Sequence, residues 1–124
     1  MSRILALLLV EDDPTLGPLT AEALRQFGHH VALAVSVDMA FGWMKAANEC
    51  DAIVLDLDVG DEPGELLIER LLDASMHVPE VLVVSAQPMN VLVRVVERLD
   101  ACTCLQKPCT ASAINEELVR CVRA

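Results

Sequence analysis

A short apolar run that ends in a carboxylate is the feature that most constrains the fold of this chain. Residues 52–55 are Ala, Ile, Val and Leu, and Asp56 follows them directly. A strand with one face in water alternates apolar and polar residues, so an uninterrupted apolar run predicts a strand that is buried on both faces. Open α/β sheets bind ligands in the crevice beyond the carboxyl ends of their strands. We therefore expect Asp56 to face a functional crevice.

Strand-like and helix-like segments alternate five times along the chain. Apolar runs predict further strands near residues 4–10, 31–35 and 81–84, and we expect a fifth short strand near residues 103–106. Each of these segments precedes apolar residues at helical spacing. Five such repeats predict an α/β fold, a doubly wound parallel sheet with helices on both faces. Right-handed crossovers favour the flavodoxin-like strand order 2-1-3-4-5. The residues that signal helix starts are Asp13, Pro14, Ser36 and Pro88.

The length, net charge and N-terminal residues of the chain limit its domain count, its partners and its location. A length of 124 residues predicts one domain. The formal charge of −10 argues against nucleic acid or an anionic membrane as a direct partner, because phosphates are held mainly by Lys and Arg. The apolar residues after Arg3 run straight into acidic residues 11–13 without a small-residue cleavage site, which argues against a signal peptide. We therefore expect a cytoplasmic protein.

The cysteines and histidines give weaker signals. The five cysteines lack CxxC spacing, which argues against a zinc site or a disulfide framework and predicts reduced, apolar side chains. His29, His30 and His77 lie at predicted turns or before a strand, and we expect them to be surface loop residues. The cysteines are Cys50, Cys102, Cys104, Cys109 and Cys121.

Polar side chains stand at the carboxyl ends of four predicted strands. Glu11 and Asp12 follow the first strand, Asp56 ends the third, and Ser85 and Lys107 end the fourth and fifth. Because these ends share one edge of a parallel sheet, we expect the five side chains to converge in one crevice. Several close carboxylates repel one another unless a cation is present, and Mg²⁺ suits such oxygen ligands. The set predicts phosphoryl transfer to a nucleophilic Asp56, with Lys107 and Ser85 binding the phosphoryl oxygens.

In this order and spacing, the motifs make the chain similar to the receiver domains of bacterial two-component response regulators. The resemblance covers essentially the whole length, so residues 1–124 would be one receiver domain without an output domain. The matching segments are residues 9–14, 56–59, 84–86 and 107–108, together with Gly64.

The resemblance implies a role for each matching residue. Asp56 would be the phosphoacceptor, with Glu11, Asp12 and Asp56 as ligands of Mg²⁺ or Mn²⁺ and Asp58 binding the metal through its backbone carbonyl. Ser85 and Lys107 would hold the phosphoryl oxygens. A sensor histidine kinase or a histidine phosphotransfer protein would donate the phosphoryl group. The domain would catalyse its own phosphorylation and dephosphorylation and would not be a turnover enzyme.

The chain departs from the family at the residues that transmit the signal. Cys104 replaces the Tyr or Phe that usually lies three residues before the lysine, so the switch pair would be Ser85 and Cys104. Cys109 and Gly60 replace the usual Phe and Pro at their positions. Val93 lies outside the apolar stripe of the fourth helix, which suggests a contact face. We expect a downstream protein or a second copy, forming a homodimer, to bind the fourth helix, fifth strand and fifth helix.

Two alternatives remain at this stage. Residues 52–59 also resemble the first motif of haloacid-dehalogenase-type phosphatases, with Asp56 as nucleophile and Asp58 as general acid. That family places the motif near its N-terminus, however, and this chain has no room for a cap domain. The second alternative is a receiver-like scaffold that relays no phosphate, which the absent aromatic residue favours and the intact acidic set opposes.

Overall fold

Strands and helices alternate along residues 3–122, which a computed structural model describes. The strands are β1 (Ala6–Val10), β2 (His30–Ala34), β3 (Ala52–Asp56), β4 (Asp58–Val59), β5 (Glu62–Pro63), β6 (Glu80–Ser85) and β7 (Thr103–Gln106). The helices are α1 (Leu16–Gln26), α2 (Val37–Lys45), α3 (Glu65–Asp73), α4 (Met89–Leu99) and α5 (Ala111–Cys121).

Five parallel strands form the central sheet in the order β2-β1-β3-β6-β7. This is the predicted order 2-1-3-4-5, because β6 and β7 are the fourth and fifth strands of the sheet. All five residues of β3 are buried, which confirms the interpretation of the apolar run. Two further strands, β4 and β5, form a short antiparallel hairpin between β3 and α3.

Helices cover both faces of the sheet and bury alternate strand residues. Ile53 and Leu55 face the apolar cluster that contains buried residues of α2, α3 and α4. Val54 faces the opposite cluster, which contains buried residues of α1 and α5. Each face of β3 therefore contacts a separate apolar layer, as expected for a doubly wound sheet. Within residues 3–122, no helix is long and apolar enough to cross a membrane.

The helices begin close to the predicted signals. Asp13 Oδ1 accepts hydrogen bonds from the N–H groups of Thr15 and Leu16, both at 2.8 Å, and α1 begins at Leu16. Ser36 Oγ accepts from Met39 N at 3.0 Å and caps α2. These side chains satisfy backbone donors that have no partner within the helix.

The prediction that all cysteines are reduced is wrong for Cys102 and Cys121, which form a disulfide. Their Cα atoms are 5.9 Å apart although 19 positions separate them in the chain. Cys102 directly precedes β7 and Cys121 is the last residue of α5. The fold brings these two ends together, and the local spacing of cysteines contains no signal for it. Cys50, Cys104 and Cys109 are free thiols.

The prediction of a surface position is also wrong for His29, of which only 5% is exposed. Its Nδ1 accepts a hydrogen bond of 3.0 Å from Leu5 N. Because Nδ1 is the acceptor, Nε2 carries the proton and donates to Asn115 Oδ1 at 2.6 Å. His29 thus connects the start of the sheet with α5. His30 and His77 are exposed as expected, although His30 is the first residue of β2 and not a loop residue.

Candidate functional site

The polar side chains predicted to converge do meet at the carboxyl edge of the sheet. Asp56 is the last residue of β3 and Ser85 the last residue of β6, whereas Glu11 and Lys107 directly follow β1 and β7. Lys107 Nζ lies 2.6 Å from Glu11 Oε1 and 3.1 Å from Asp56 Oδ2. The lysine therefore connects two carboxylates that come from separate strands.

Three carboxylates at this edge could hold one metal ion. Oxygen atoms of Glu11, Asp12 and Asp56 all lie within 4.8 Å of one another. Asp12 Oδ2 is also fixed by a 2.8 Å hydrogen bond from Gly60 N. An oxygen-only donor set on three acidic residues fits a hard divalent cation such as Mg²⁺, which binds a few carboxylates and keeps water at its other positions.

The surroundings of Asp56 and Lys107 shift the pKa of both groups. Burial raises the pKa of Asp56 to about 6, and the nearby Glu11 carboxylate adds to this effect. Hydrogen bonds from Asp58 N, at 3.1 Å, and from Lys107 oppose it. Although burial alone would lower the pKa of Lys107, its hydrogen bonds to Glu11 and Asp56 raise that pKa above the usual value. A cation at the carboxylates would favour their ionised forms.

Gly64, which matches the receiver motif, packs against the carboxyl end of β3. Gly64 N donates a 2.8 Å hydrogen bond to Leu57 O. A Cβ at position 64 would overlap the carbonyl oxygen of Asp56. The structure shows that the segment between β3 and α3 folds back against Asp56.

The carboxylate of Asp58 lies outside the three-carboxylate group. Its oxygens are 3.3 and 3.4 Å from Gln87 Nε2. Gln106 Nε2 in turn donates to Gln87 O at 3.0 Å. Contact between Asp58 and Gln87 was not predicted, because it joins β4 to the segment that follows β6. The predicted metal ligation by Asp58 uses its backbone carbonyl and stays a prediction.

The residues of the predicted switch lie on neighbouring strands. Ser85 is fully buried, and its Oγ accepts a 3.1 Å hydrogen bond from Gln87 N. The register pairs Ser85 with Gln106 and places Cys104 two positions earlier on β7. Cys104 Sγ lies 3.8 Å from Met89 Sδ on α4. The thiol therefore connects β7 to α4, at the position where the family usually has an aromatic ring.

Comparison with known proteins identifies the family. The family described as the response regulator receiver domain matches residues 7–119. The chain therefore belongs to the response regulator receiver domains of two-component signalling. This membership does not favour a dehalogenase-type phosphatase or a scaffold that relays no phosphate.

Solved structures show the same fold. The HemR receiver domain from Leptospira biflexa, in its non-phosphorylated form, is 28% identical, with 96% of this chain and 94% of that chain covered and a TM-score of 0.80. A sensor protein from Polaromonas sp. JS666 is 25% identical, with 94% of each chain covered and a TM-score of 0.82. A response regulator from Burkholderia pseudomallei, solved with a phosphorylated aspartic acid, a calcium ion and citrate, is 23% identical, with 96% of this chain and 66% of that chain covered and a TM-score of 0.77. No curated protein sequence matches the chain significantly.

Proposed function

We propose that this receiver domain accepts a phosphoryl group on Asp56 from a histidine kinase or a histidine phosphotransfer protein. The observation that carries the proposal is the contact of Lys107 Nζ with both Glu11 and Asp56, beside three carboxylates within 4.8 Å of one another. This arrangement supplies a nucleophile, a cation for the phosphoryl oxygens and ligands for a metal at one place. The Burkholderia pseudomallei protein, which has the same fold, was solved with a phosphorylated aspartic acid and a calcium ion.

The two oxygens of Asp56 have different tasks in this proposal. Oδ1 accepts the hydrogen bond from Asp58 N, and this bond fixes the orientation of the carboxylate. Oδ2, which faces Lys107, attacks the phosphorus atom. A bond forms between Oδ2 and phosphorus while the bond between phosphorus and the donor's histidine nitrogen breaks, and that nitrogen keeps the electron pair. The product is an acyl phosphate on Asp56.

The groups around Asp56 stabilise the charge of the transferred phosphoryl group. Lys107 exchanges its contact with Asp56 Oδ2 for a phosphoryl oxygen and remains close to Glu11. The buried hydroxyl of Ser85 donates to a second oxygen. Glu11 and Asp12, with Asp56, would hold Mg²⁺, and the backbone carbonyl of Asp58 would add a ligand. When bound, Mg²⁺ neutralises charge on the carboxylates and the phosphoryl oxygens.

The face formed by α4, β7 and α5 is the proposed surface for a downstream protein or a second copy. Val93 is 47% exposed and Met89 is 45% exposed on α4. Met89 on α4 contacts Cys104 on β7. The Cys104 thiol would therefore take the place of the usual aromatic residue and connect the carboxyl edge of the sheet with the exposed face of α4. Amide hydrogen exchange of α4 should change on phosphorylation, and unchanged exchange over this face would contradict the assignment.

The test of the proposed function is incubation with acetyl phosphate and Mg²⁺, followed by intact mass spectrometry. We expect wild type to gain the mass of one phosphoryl group and Asp56→Asn to gain none. Asp61→Asn is the matched control, because Asp61 is an exposed acid in the neighbouring loop, and this variant should behave as wild type. No adduct on wild type, or an adduct that persists in Asp56→Asn, would contradict the proposal.

A further inference from the structure

The disulfide between Cys102 and Cys121 joins the start of β7 to the end of α5. Cys102 directly precedes β7, which pairs with β6 and with no other strand among the described residues. Cys121 is the last residue of α5. The bond lies at the amino end of β7, whereas Lys107 follows the carboxyl end of that strand. The disulfide is therefore separate from the proposed phosphorylation site.

The two half-cystines differ in exposure. Cys102 is exposed, whereas Cys121 is half-buried. A disulfide is opened by a thiolate that attacks one of its two sulfur atoms, so access to that atom affects the rate. Exposed disulfides are also reduced more easily than structural ones, which resist reduction by glutathione. The exposure of Cys102 therefore favours a bond that can be opened in the folded chain, with attack at Cys102.

The other cysteines do not form a disulfide framework. Three of the five cysteines, Cys50, Cys104 and Cys109, are free thiols. Small secreted domains that depend on disulfides for stability pair most of their cysteines. A single exposed bond beside three free thiols fits a reversible bond better than a permanent crosslink.

Contacts other than the disulfide hold α5 and β7 in place. Ile114 and Leu118 on α5 are buried in the apolar cluster on that face of the sheet. Asn115 accepts a hydrogen bond from the buried His29. β7 is paired with β6 along its whole length. Opening the disulfide should therefore free the last turn of α5 and the start of β7 while the domain stays folded.

We infer that Cys102 and Cys121 form a redox modification site, which thiol reductants open and disulfide oxidants close in the folded domain. The reductant's thiolate attacks Cys102 Sγ and forms a mixed disulfide, while the bond between the two cysteines breaks. Cys121 Sγ keeps the electron pair of that bond and takes a proton from solvent. A second reductant thiol then attacks the reductant's sulfur in the mixed disulfide and releases Cys102 as a thiol. Two thiols of the reductant are oxidised to one disulfide, and two electrons and two protons pass to the cysteine pair.

Reduction should also alter the face formed by α4, β7 and α5. The disulfide crosslinks two of these three elements, and Cys104, two positions after Cys102, contacts Met89 on the third. Loosening of the start of β7 therefore acts close to this contact. The redox chemistry is independent of the proposed function, whereas an effect on the binding of a downstream protein to this face rests on it.

The test is equilibration of the intact chain, in native buffer, with mixtures of reduced and oxidised glutathione. The samples are quenched with acid, unfolded and alkylated, and mass spectrometry counts the free thiols. We expect three alkylated thiols on the oxidised chain and five on the reduced chain, with an unchanged circular dichroism spectrum. A chain that keeps three free thiols in reduced glutathione until a denaturant is added would overturn the inference, as would loss of the fold on reduction.

Single-cysteine variants test which sulfur is attacked. Cys121→Ser keeps Cys102, Cys102→Ser keeps Cys121, and each variant is mixed with oxidised glutathione. We expect the glutathione adduct to form faster on Cys102 than on Cys121, because Cys102 is the exposed residue. Cys104→Ser, which removes a free thiol, is the matched control and should follow the wild-type redox titration. Equal rates, or a faster reaction at Cys121, would overturn the assignment of Cys102 as the attacked residue.

Amide hydrogen exchange of the oxidised and reduced chains measures the structural effect. We expect faster exchange in the reduced chain at the end of α5 and the start of β7, with unchanged exchange in β1 and β3. Unchanged exchange in both of the freed segments would overturn the effect on this face. Asp56→Asn should give the wild-type redox titration, so failure of phosphorylation and failure of the redox site can be distinguished.

Discussion

Gly64 packs so closely against Asp56 that a Cβ at position 64 would overlap the backbone carbonyl oxygen of Asp56. The backbone of Gly64 has φ of −59°, a conformation that any residue adopts. Glycine is therefore required here for space and not for backbone freedom. The hydrogen bond from Gly64 N to Leu57 O holds the loop in this position.

Gly64→Ala should move the backbone of Asp56 and weaken the site. We expect the free energy of unfolding to fall by about 1 to 3 kcal/mol, as for other overpacked positions. The rate of adduct formation from acetyl phosphate should fall with it. The matched control is Gly42→Ala within α2, where nothing lies within 4 Å of the new Cβ. That variant should gain about 0.5 to 1 kcal/mol, and equal effects of the two substitutions in denaturant unfolding would contradict the argument.

Removal of Mg²⁺ should lower the free energy of unfolding, because the ion would bind the three carboxylates of the folded chain. Their oxygens lie within 4.8 Å of one another, so Mg²⁺ should bind the folded chain and not the unfolded chain. At a tenfold excess of Mg²⁺ over its Kd, this linkage adds about 1.4 kcal/mol. Thermal unfolding with Mg²⁺ and with a chelator measures the difference. We expect the gain to disappear in Asp12→Asn and to persist in Asp61→Asn, and a gain retained in Asp12→Asn would exclude this acid as a ligand.

His29 should contribute to stability as a buried connection between the sheet and α5. His29→Leu removes the acceptor of Leu5 N and the partner of Asn115 Oδ1. Buried polar groups left without a partner cost about 1 to 3 kcal/mol. His30→Leu changes an exposed side chain of the same type and should stay within about 0.5 kcal/mol of wild type. Urea unfolding of the two variants checks the difference, and equal stabilities would show that these hydrogen bonds contribute nothing.

The disulfide between Cys102 and Cys121 closes a loop with a sequence separation of 19. A crosslink over a loop of this length stabilises a protein by about 3 kcal/mol through its effect on the unfolded chain. Cys121→Ser should lose this stability in a non-reducing buffer and match wild type in a reducing buffer. Cys104→Ser, which removes a free thiol, should show no such dependence on the buffer. A Cys121→Ser variant as stable as oxidised wild type would contradict the expectation.

The parts of the fold that could be predicted are those with a local signal. Uninterrupted apolar runs marked the buried strands, and the neighbours of β3 in the sheet are those of the predicted strand order. The convergence of Glu11, Asp56 and Lys107 followed from topology alone, because parallel strands end at one edge. Polar residues at strand ends were therefore the strongest signal for the site.

The parts that could not be predicted depend on packing between distant segments. Nothing near Cys102 or Cys121 in sequence indicates that the ends of β7 and α5 meet. The position of His29 after a helix suggested a loop. Its imidazole is nevertheless hydrogen-bonded to Leu5, just before β1, and to Asn115 on α5.

Asp56→Asn should make the metal-free domain more stable at neutral pH, because burial makes the ionised form of the Asp56 carboxyl group unfavourable. Burial and then Glu11 raise the pKa of Asp56 to about 6, against the opposing contacts with Asp58 N and Lys107. An unfolded aspartate has a pKa of about 3.9. Between these two values the folded state binds more protons, so wild-type stability falls as pH rises from about 4 to about 6 and then levels off.

Asparagine does not titrate. The gain of Asp56→Asn over wild type should therefore be small near pH 4 and reach about 1 to 3 kcal/mol above pH 6. Urea unfolding with a chelator at several pH values measures it, with Asp61→Asn as an exposed control that should show no such trend. A gain that is largest at low pH would show that the carboxylate of Asp56 is stabilised by its surroundings and not destabilised.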